Sequence, residues 1–451
     1  MNVPHNSPAQ YTTSKPLLSI KWMVPLVIVP LVGFAVYTGW LLFTNYQASR
    51  ELSVLMKPIR AAGTSPEDAW IAKRFADATS NEGTAAWSEI NMLSGGVGWN
   101  AINDLPIIGN AETLRTLEVG AQWESHALVD DYLKQAQPLL DLIYAVEKYP
   151  TPVWQPLDFR GFGTLLPELQ GSRQIARLLQ LDFEHAIVCN DRERAMRDLQ
   201  AMQNTADAFD WDLFMVGELI NTALRGMRYM AIQRSLYADV WTKEDLERLI
   251  AEAQQPLPLA QSWQRSLESE KAMAAGYMQG PMFSPTSRLL LLGRYAEMEA
   301  LAGLNPGEFG IGARALEHQW EEGDAGEISK LWLGDIQPAI AGYANAFDRT
   351  ERSRRLVLTS LGVKLFQLTN ERWPAALQEL TQLGLQSQDW TLPAIGPLGY
   401  AIQDDGQTAC VWGADETELR LLEMNAVVSP ECPDYAGEKL DKVQVYLTVI
   451  K

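Results

Sequence analysis

Histidine and cysteine are scarce in this chain, four of one and three of the other among 451 residues. His5, His126, His185 and His318 are scattered, and neither an H-E-x-x-H pattern nor a His/Cys cluster with ligand spacing is read from them. No Gly-x-Ser-x-Gly elbow occurs. The nearest approach to a phosphate loop, Ser94-Gly95-Gly96-Val97-Gly98, lacks the Gly-Lys-Ser/Thr ending and follows no strand, so it reads as an ordinary loop. With these signatures missing, no catalytic residue, metal or cofactor is assigned, and the chain reads as non-enzymatic. Basic residues are also outnumbered: 37 Lys and Arg face 56 Asp and Glu. An acidic surface of this kind repels phosphodiester backbones, which excludes a nucleic-acid partner.

Long apolar runs are missing as well, with one exception. Met23 to Phe43 carries no charge, and as a helix it would cover about 31 Å, the thickness of a bilayer core. A buried core helix is usually shorter. A cleavable signal peptide would end in small residues rather than Trp40-Leu41-Leu42-Phe43. The run is therefore predicted to be a single transmembrane helix, residues 23–43, partnered by the lipid bilayer, with Trp22, Tyr37 and Trp40 at the interfaces. Residues 1–22, with three prolines among Asn, Ser and Thr, read as a disordered tail.

Lys15 and Lys21 precede the run, while Arg50, Lys57 and Arg60 follow it, so the count of basic residues slightly favours a cytoplasmic body. A short tail ahead of one anchor is nevertheless the common arrangement for a large exported domain. The expectation is an inner-membrane protein with its soluble region on the periplasmic side. In that compartment Cys410 and Cys432, 22 positions apart, form the simplest disulfide and leave Cys189 buried.

The rest is predominantly helical. Ser65-Pro66-Glu67-Asp68 and Thr242-Lys243-Glu244-Asp245 are helix starts, with a capping hydroxyl ahead of acids in the first turn. Ile175, Leu179, Phe183 and Ile187 recur every four positions and define one face. Asn190-Asp191 turns the chain into a second helix through Ala195, Leu199, Met202 and Ala206, and Leu213 to Met227 marks a third. No copy recurs at a fixed period, so a compact helical-hairpin domain over 44–350 is predicted rather than a solenoid. The fifteen tryptophans suit the packing of such a core; a sugar or peptide groove is the other use for them. Carboxylate pairs are common on solvated helix faces; the acidic run from Glu317 to Asp324 is the one considered for catalysis, and a membrane-anchored hydrolase of an envelope polymer is the alternative function it raises.

From 351 onward the character changes. A helix over Glu351–Thr369 ends at Asn370-Glu371-Arg372-Trp373-Pro374, a short helix follows around Ala375–Leu383, Asp405-Gly406 signals a hairpin, and Val443–Val449 alternates as a last strand. This order, with Leu358, Leu361 and Phe366, then Leu377, Leu380, Pro393, Gly396-Pro397-Leu398-Gly399-Tyr400 and Val411-Trp412-Gly413-Ala414-Asp415, resembles the C-terminal globular part of type II secretion pseudopilins. A similar tail occurs on membrane-anchored helical proteins of bacterial envelopes. The resemblance implies a small α+β module over 351–451, and Asp415 falls where the family can hold calcium in an acidic loop. It implies the fold of the tail only. Residues 44–350 separate it from the anchor, and the anchor lacks the Phe-Thr-Leu-x-Glu processing site. The overall expectation is a mostly α, membrane-anchored envelope protein that binds other proteins as a scaffold.

Overall fold

The structure is a computed structural model, and it describes residues 20–61, 73, 81–96, 104–109, 119–120, 123–153, 164, 166, 168–208, 210, 214–277, 284–304, 306–322, 340–393, 395–403, 406–413 and 446–450. Of the expected disordered tail 1–22, residues 1–19 lie outside these residues and 20–22 belong to a helix instead; the helix start at Ser65, Asp415 and Cys432 also lie outside.

The protein is mostly helical. In chain order the helices are α1 (Ile20–Ala61), α2 (Asn81–Gly96), α3 (His126–Ala145), α4 (Glu168–Val188), α5 (Arg192–Ala208), α6 (Met215–Ser235), α7 (Lys243–Ala253), α8 (Leu259–Tyr277), α9 (Pro285–Glu299), α10 (Pro306–Glu322) and α11 (Ile340–Asn370). Where the sequence signals a boundary, local chemistry sets it. Asn190 takes the left-handed conformation at φ 55°. Around it, the Asp191 N–H donates to the Ala186 carbonyl (2.8 Å) and the Asn190 N–H to Ile187 (3.1 Å), a Schellman closure of α4. Asp191 then caps α5 by accepting the Arg194 N–H at 3.2 Å. Two adjacent residues thus end one helix and start the next.

At α7, Thr242 and Asp245 form a reciprocal capping box. Thr242 Oγ1 accepts the Asp245 N–H, and Asp245 Oδ2 accepts the Thr242 N–H at 3.0 Å. Arg192, at the start of α5, adds an ion pair to the same carboxylate at 2.8 Å. Thr242→Ala is expected to lower stability by about 1 kcal/mol in urea unfolding; a midpoint unchanged from the parent would mean that this cap contributes nothing.

Two cores form. The larger is organised around α4, covered by α2, α3, α5 and α6. Every residue from Leu178 to Ile187 is buried, so the one-face pattern read from Ile175, Leu179, Phe183 and Ile187 describes only part of a helix enclosed on all sides. The smaller core gathers α8, α9, α10 and the first half of α11 about Trp263. The Trp263 ring meets Phe309 edge-on at 5.0 Å and Tyr343 at 5.0 Å, and its Nε1 donates to the Met298 carbonyl at 2.9 Å.

α11 belongs to both cores. Ile340, Tyr343, Ala344 and Phe347 fill the smaller one, while Leu356 through Phe366 pack in the larger against α6, α7 and the C-terminal strands. The expected boundary between 350 and 351 falls in the middle of this helix, which begins at Ile340 rather than Glu351.

After α11, Glu371 turns left-handed at φ 55° and a 3₁₀ turn runs Leu377–Leu383. Two short strands, β1 (Thr391–Leu392) and β2 (Gly396–Pro397), pair with each other. The antiparallel sheet β3 (Gly399–Ile402), β4 (Ala409–Gly413) and β5 (Tyr446–Ile450) follows, in the order β3-β4-β5. The hairpin stands at the Asp-Gly signal, with Gly406 at φ 65° in the connection, and β5 overlaps the expected last strand from Tyr446 to Val449, residues 443–445 lying outside the described residues. Gly399 lies directly under Trp412, where a Cβ would approach the ring to 2.2 Å. The Asn370–Pro374 turn is tied to the hairpin by Tyr400 Oη donating to the Pro374 carbonyl (2.9 Å) and Trp373 Nε1 to Gly406 (3.1 Å).

α1 outruns its expected span. Its apolar residues from Ile28 to Phe43 project on all sides with exposures such as 67% for Val29, 69% for Phe34 and 66% for Leu42, so it is not a core helix of this fold. Beyond Phe43 the same helix continues and docks on α9. There Ala48 and Met56 are buried, with Thr44 and Leu52 half-buried on the same four-residue spacing.

Candidate functional site

The last turns of α4 carry the densest group of reactive side chains among the described residues. The turn at Asn190-Asp191 folds α5 back on α4, so that Arg194 pairs with Asp182 through Nη2 and through Nε at 3.1 Å. Tyr144, at the end of α3, brings its hydroxyl to 2.8 Å from Asp182 Oδ2 and 2.6 Å from Asp198 Oδ1. One hydroxyl proton cannot serve two carboxylates, so one of the carboxyls carries a proton. Burial, followed by the charge of Asp182, pushes Asp198 well above the ordinary carboxyl range, which makes it the protonated one. Asp182 and Asp198 are both wholly excluded from solvent, and Arg197 lies over the Tyr144 ring at 5.3 Å. A sealed, charge-compensated knot of this kind holds three helices together. It offers no face to a substrate.

One turn along α4, His185 faces His126, the first residue of α3. The two rings stack at 4.9 Å between centroids with 14° between planes. Cys189 follows His185 by four residues, and its Sγ lies 3.9 and 3.8 Å from the two ring nitrogens of His185. One donor atom from each of the three residues can be chosen so that all lie within 4.8 Å of one another. The buried Nδ1 of His126 has no hydrogen-bond partner. Burial, with Arg194 nearby, lowers the His185 pKa, and burial raises that of Cys189. Cys189 stands at the surface instead of in the core as expected.

Long-range folding, which places α3 on α4, is what sequence reasoning lacked here. His126 and His185 are far apart in the chain. A local signal did exist: His185 and Cys189 are one helical turn apart, a spacing that aims both at one point.

Elsewhere the geometry is less suited to chemistry. A groove of about 360 Å³ between α5 and α7 is lined by Glu147, Arg192, Arg197, Gln200, Asp245 and Arg248. Apart from Met196 its lining side chains are charged or polar, and Arg192–Asp245 (2.8 Å) and Arg248–Gln200 (2.6 Å) bond across it, unlike the apolar enclosure that holds small ligands. In the Glu317–Asp324 run, Trp320 is buried, donates to Glu297 at 2.6 Å and lies under Arg294 at 5.0 Å. His318 is exposed on α10, the side chains of Glu321 and Glu322 lie outside the described residues, and no described pocket involves this run. Trp87, Trp123, Trp241, Trp263, Trp320 and Trp390 are buried and serve packing, whereas Trp373 and Trp412 are half-buried and Trp40 is exposed on α1. Cys410 is disulfide-bonded and Cys189 free. No protein-family model matches the chain, and no curated protein or solved structure shows significant similarity to it.

Proposed function

We propose that this protein is a single-pass, membrane-anchored envelope scaffold that binds other proteins and performs no catalysis. The observation that carries the reading is the bare apolar rod of α1. Each Leu, Ile, Val or Phe left in water forgoes about 1.5–3 kcal/mol, and Ile28, Val29, Leu31, Val32, Phe34, Val36, Leu42 and Phe43 are each more than half exposed. A patch of this extent needs hydrocarbon around it. The docking of the following turns on α9 supports a body held close to the bilayer.

On this reading the anchor lies in the inner membrane, residues 44–451 face the periplasm, and Cys410 pairs with Cys432 in that oxidising compartment. The tail is a pseudopilin-like module, consistent with its helix-then-hairpin order, and links the protein to secretion-type assemblies. The sealed state of Asp182 and Asp198 favours binding over hydrolysis.

Full-length protein is expected to stay with vesicles in alkaline carbonate, whereas a chain lacking residues 1–43 is released. Release of the full-length chain would remove the anchor. A reporter active only in an oxidising compartment, fused after Lys451, tests orientation: activity is expected, and its loss places the body in the cytoplasm.

A further inference from the structure

We propose that His126, His185 and Cys189 form a binding site for one divalent transition ion of the zinc class, at the corner where α3 meets the end of α4. Imidazole nitrogen and thiolate sulfur are the donors such ions select, and two His with one Cys leave a fourth tetrahedral position for water. Ligand bonds of about 2.0–2.3 Å in a tetrahedron set donor atoms about 3.4–3.6 Å apart. The Cys189–His185 separation of 3.8 Å already approaches this. The full trio within 4.8 Å needs each donor to close by about 1 Å or less, a side-chain rotation rather than a backbone movement.

Three further observations point to a cation. The Nδ1 of His126 is buried with nothing bonded to it, a cost that ligation or protonation relieves. Asp130, one turn along α3 from His126, and Asp191, two residues past Cys189, place carboxylates beside the corner, tempered by Lys134 on Asp130 and Arg194 on Asp182. Cys189 is exposed, which supplies both an entry path and room for a water ligand. The helix geometry is suitable too. The Cys189 N–H still donates to the His185 carbonyl at 2.9 Å, so the two ligands project from one continuous turn, and the Schellman closure at Asn190 fixes where that turn stops.

The site is tested on the full-length protein in detergent, reduced so that Cys189 is a thiol, by titration with Co(II) and then Zn(II). The expected result is one Co(II) per chain with a thiolate-to-cobalt charge-transfer band that zinc displaces. Cys189→Ser abolishes the band, His126→Ala weakens binding at least tenfold, and His318→Ala changes nothing. Zinc also slows alkylation of Cys189 in the parent protein at least tenfold, a readout that needs no variant to fold. Absence of the band, its survival in Cys189→Ser, or alkylation indifferent to zinc would each overturn the site and leave the stacked histidines as packing alone.

Discussion

Glu351→Ala is expected to cost about 3–5 kcal/mol, since it strips the shared counter-ion from one buried and one half-buried guanidinium group. Glu351 Oε1 accepts from Arg354 Nη2 and Arg355 Nε, each at 2.7 Å, and Oε2 accepts from Arg354 Nε at 2.7 Å. Each arginine spends its remaining donors elsewhere. Arg354 reaches the Ala253 carbonyl at the end of α7, and Arg355 reaches the carbonyls of Gln388 (2.6 Å) and Thr391 at the start of the C-terminal sheets. One carboxylate in the middle of α11 therefore orients the contacts that join the helical body to the tail. Burial works against this carboxylate, but Arg354 and then Arg355 outweigh it and hold its pKa below the ordinary value. Its contribution is thus present above the ordinary glutamate range and is lost as pH falls through the depressed value. Urea unfolding at pH 7 measures the effect; a loss below about 1 kcal/mol would show that the knot is peripheral.

Glu270 runs the opposite way. It sits on α8 in the wall of the smaller core, with the Met215 N–H at 3.3 Å as its one hydrogen bond described. Burial, only partly offset by that bond, pushes its pKa from 4.5 up to about 7, and the Tyr295 hydroxyl in the same interior senses its charge. Because the folded value is raised, the stabilisation is complete below about pH 4.5 and drains away as pH rises through 7. At about 1.4 kcal/mol per tenfold change in proton affinity, ionising Glu270 costs about 3 kcal/mol. Glu270→Gln is therefore expected to stabilise the protein by about that amount at pH 8, with the gain shrinking toward pH 5. Equal unfolding free energies for variant and parent at pH 8 would contradict the enclosure of this carboxyl.

The parts of this fold legible in the sequence are those fixed within a few residues. Asn190-Asp191, Thr242 with Asp245, and Gly406 each act through backbone groups next to them, and each boundary stands near its expected place. What the sequence hid depends on partners distant in the chain. The periodicity of α4 showed one apolar face, but Gln180, Asp182 and Glu184 are also buried, with Arg194 and Arg234 from α5 and α6 paired to the two acids. Nothing near Tyr144 in the chain indicates that Asp198, 54 positions on, will receive its hydroxyl. Helical character is legible from Ile340, but that stretch reads as separate from the tail helix at Glu351, because the role of Ile340 to Phe347 shows only once Trp263 and Phe309 are beside them. The His126, His185 and Cys189 corner is half legible: His185 and Cys189 share a helix turn, while His126 arrives from another helix.

The unbroken course of α1 has a mechanical consequence. From Ile28 to Met56 no loop intervenes between the bare segment and the turns seated on α9. A flexible tether lets its cargo swivel; a continuous helix clamped at one end does not. If the rod lies in a bilayer as proposed, rolling it about its long axis must turn the whole body by the same angle, so the heading of the body is set by how the rod is held there. In that setting, a neighbour that binds the rod would choose which side of the body it meets.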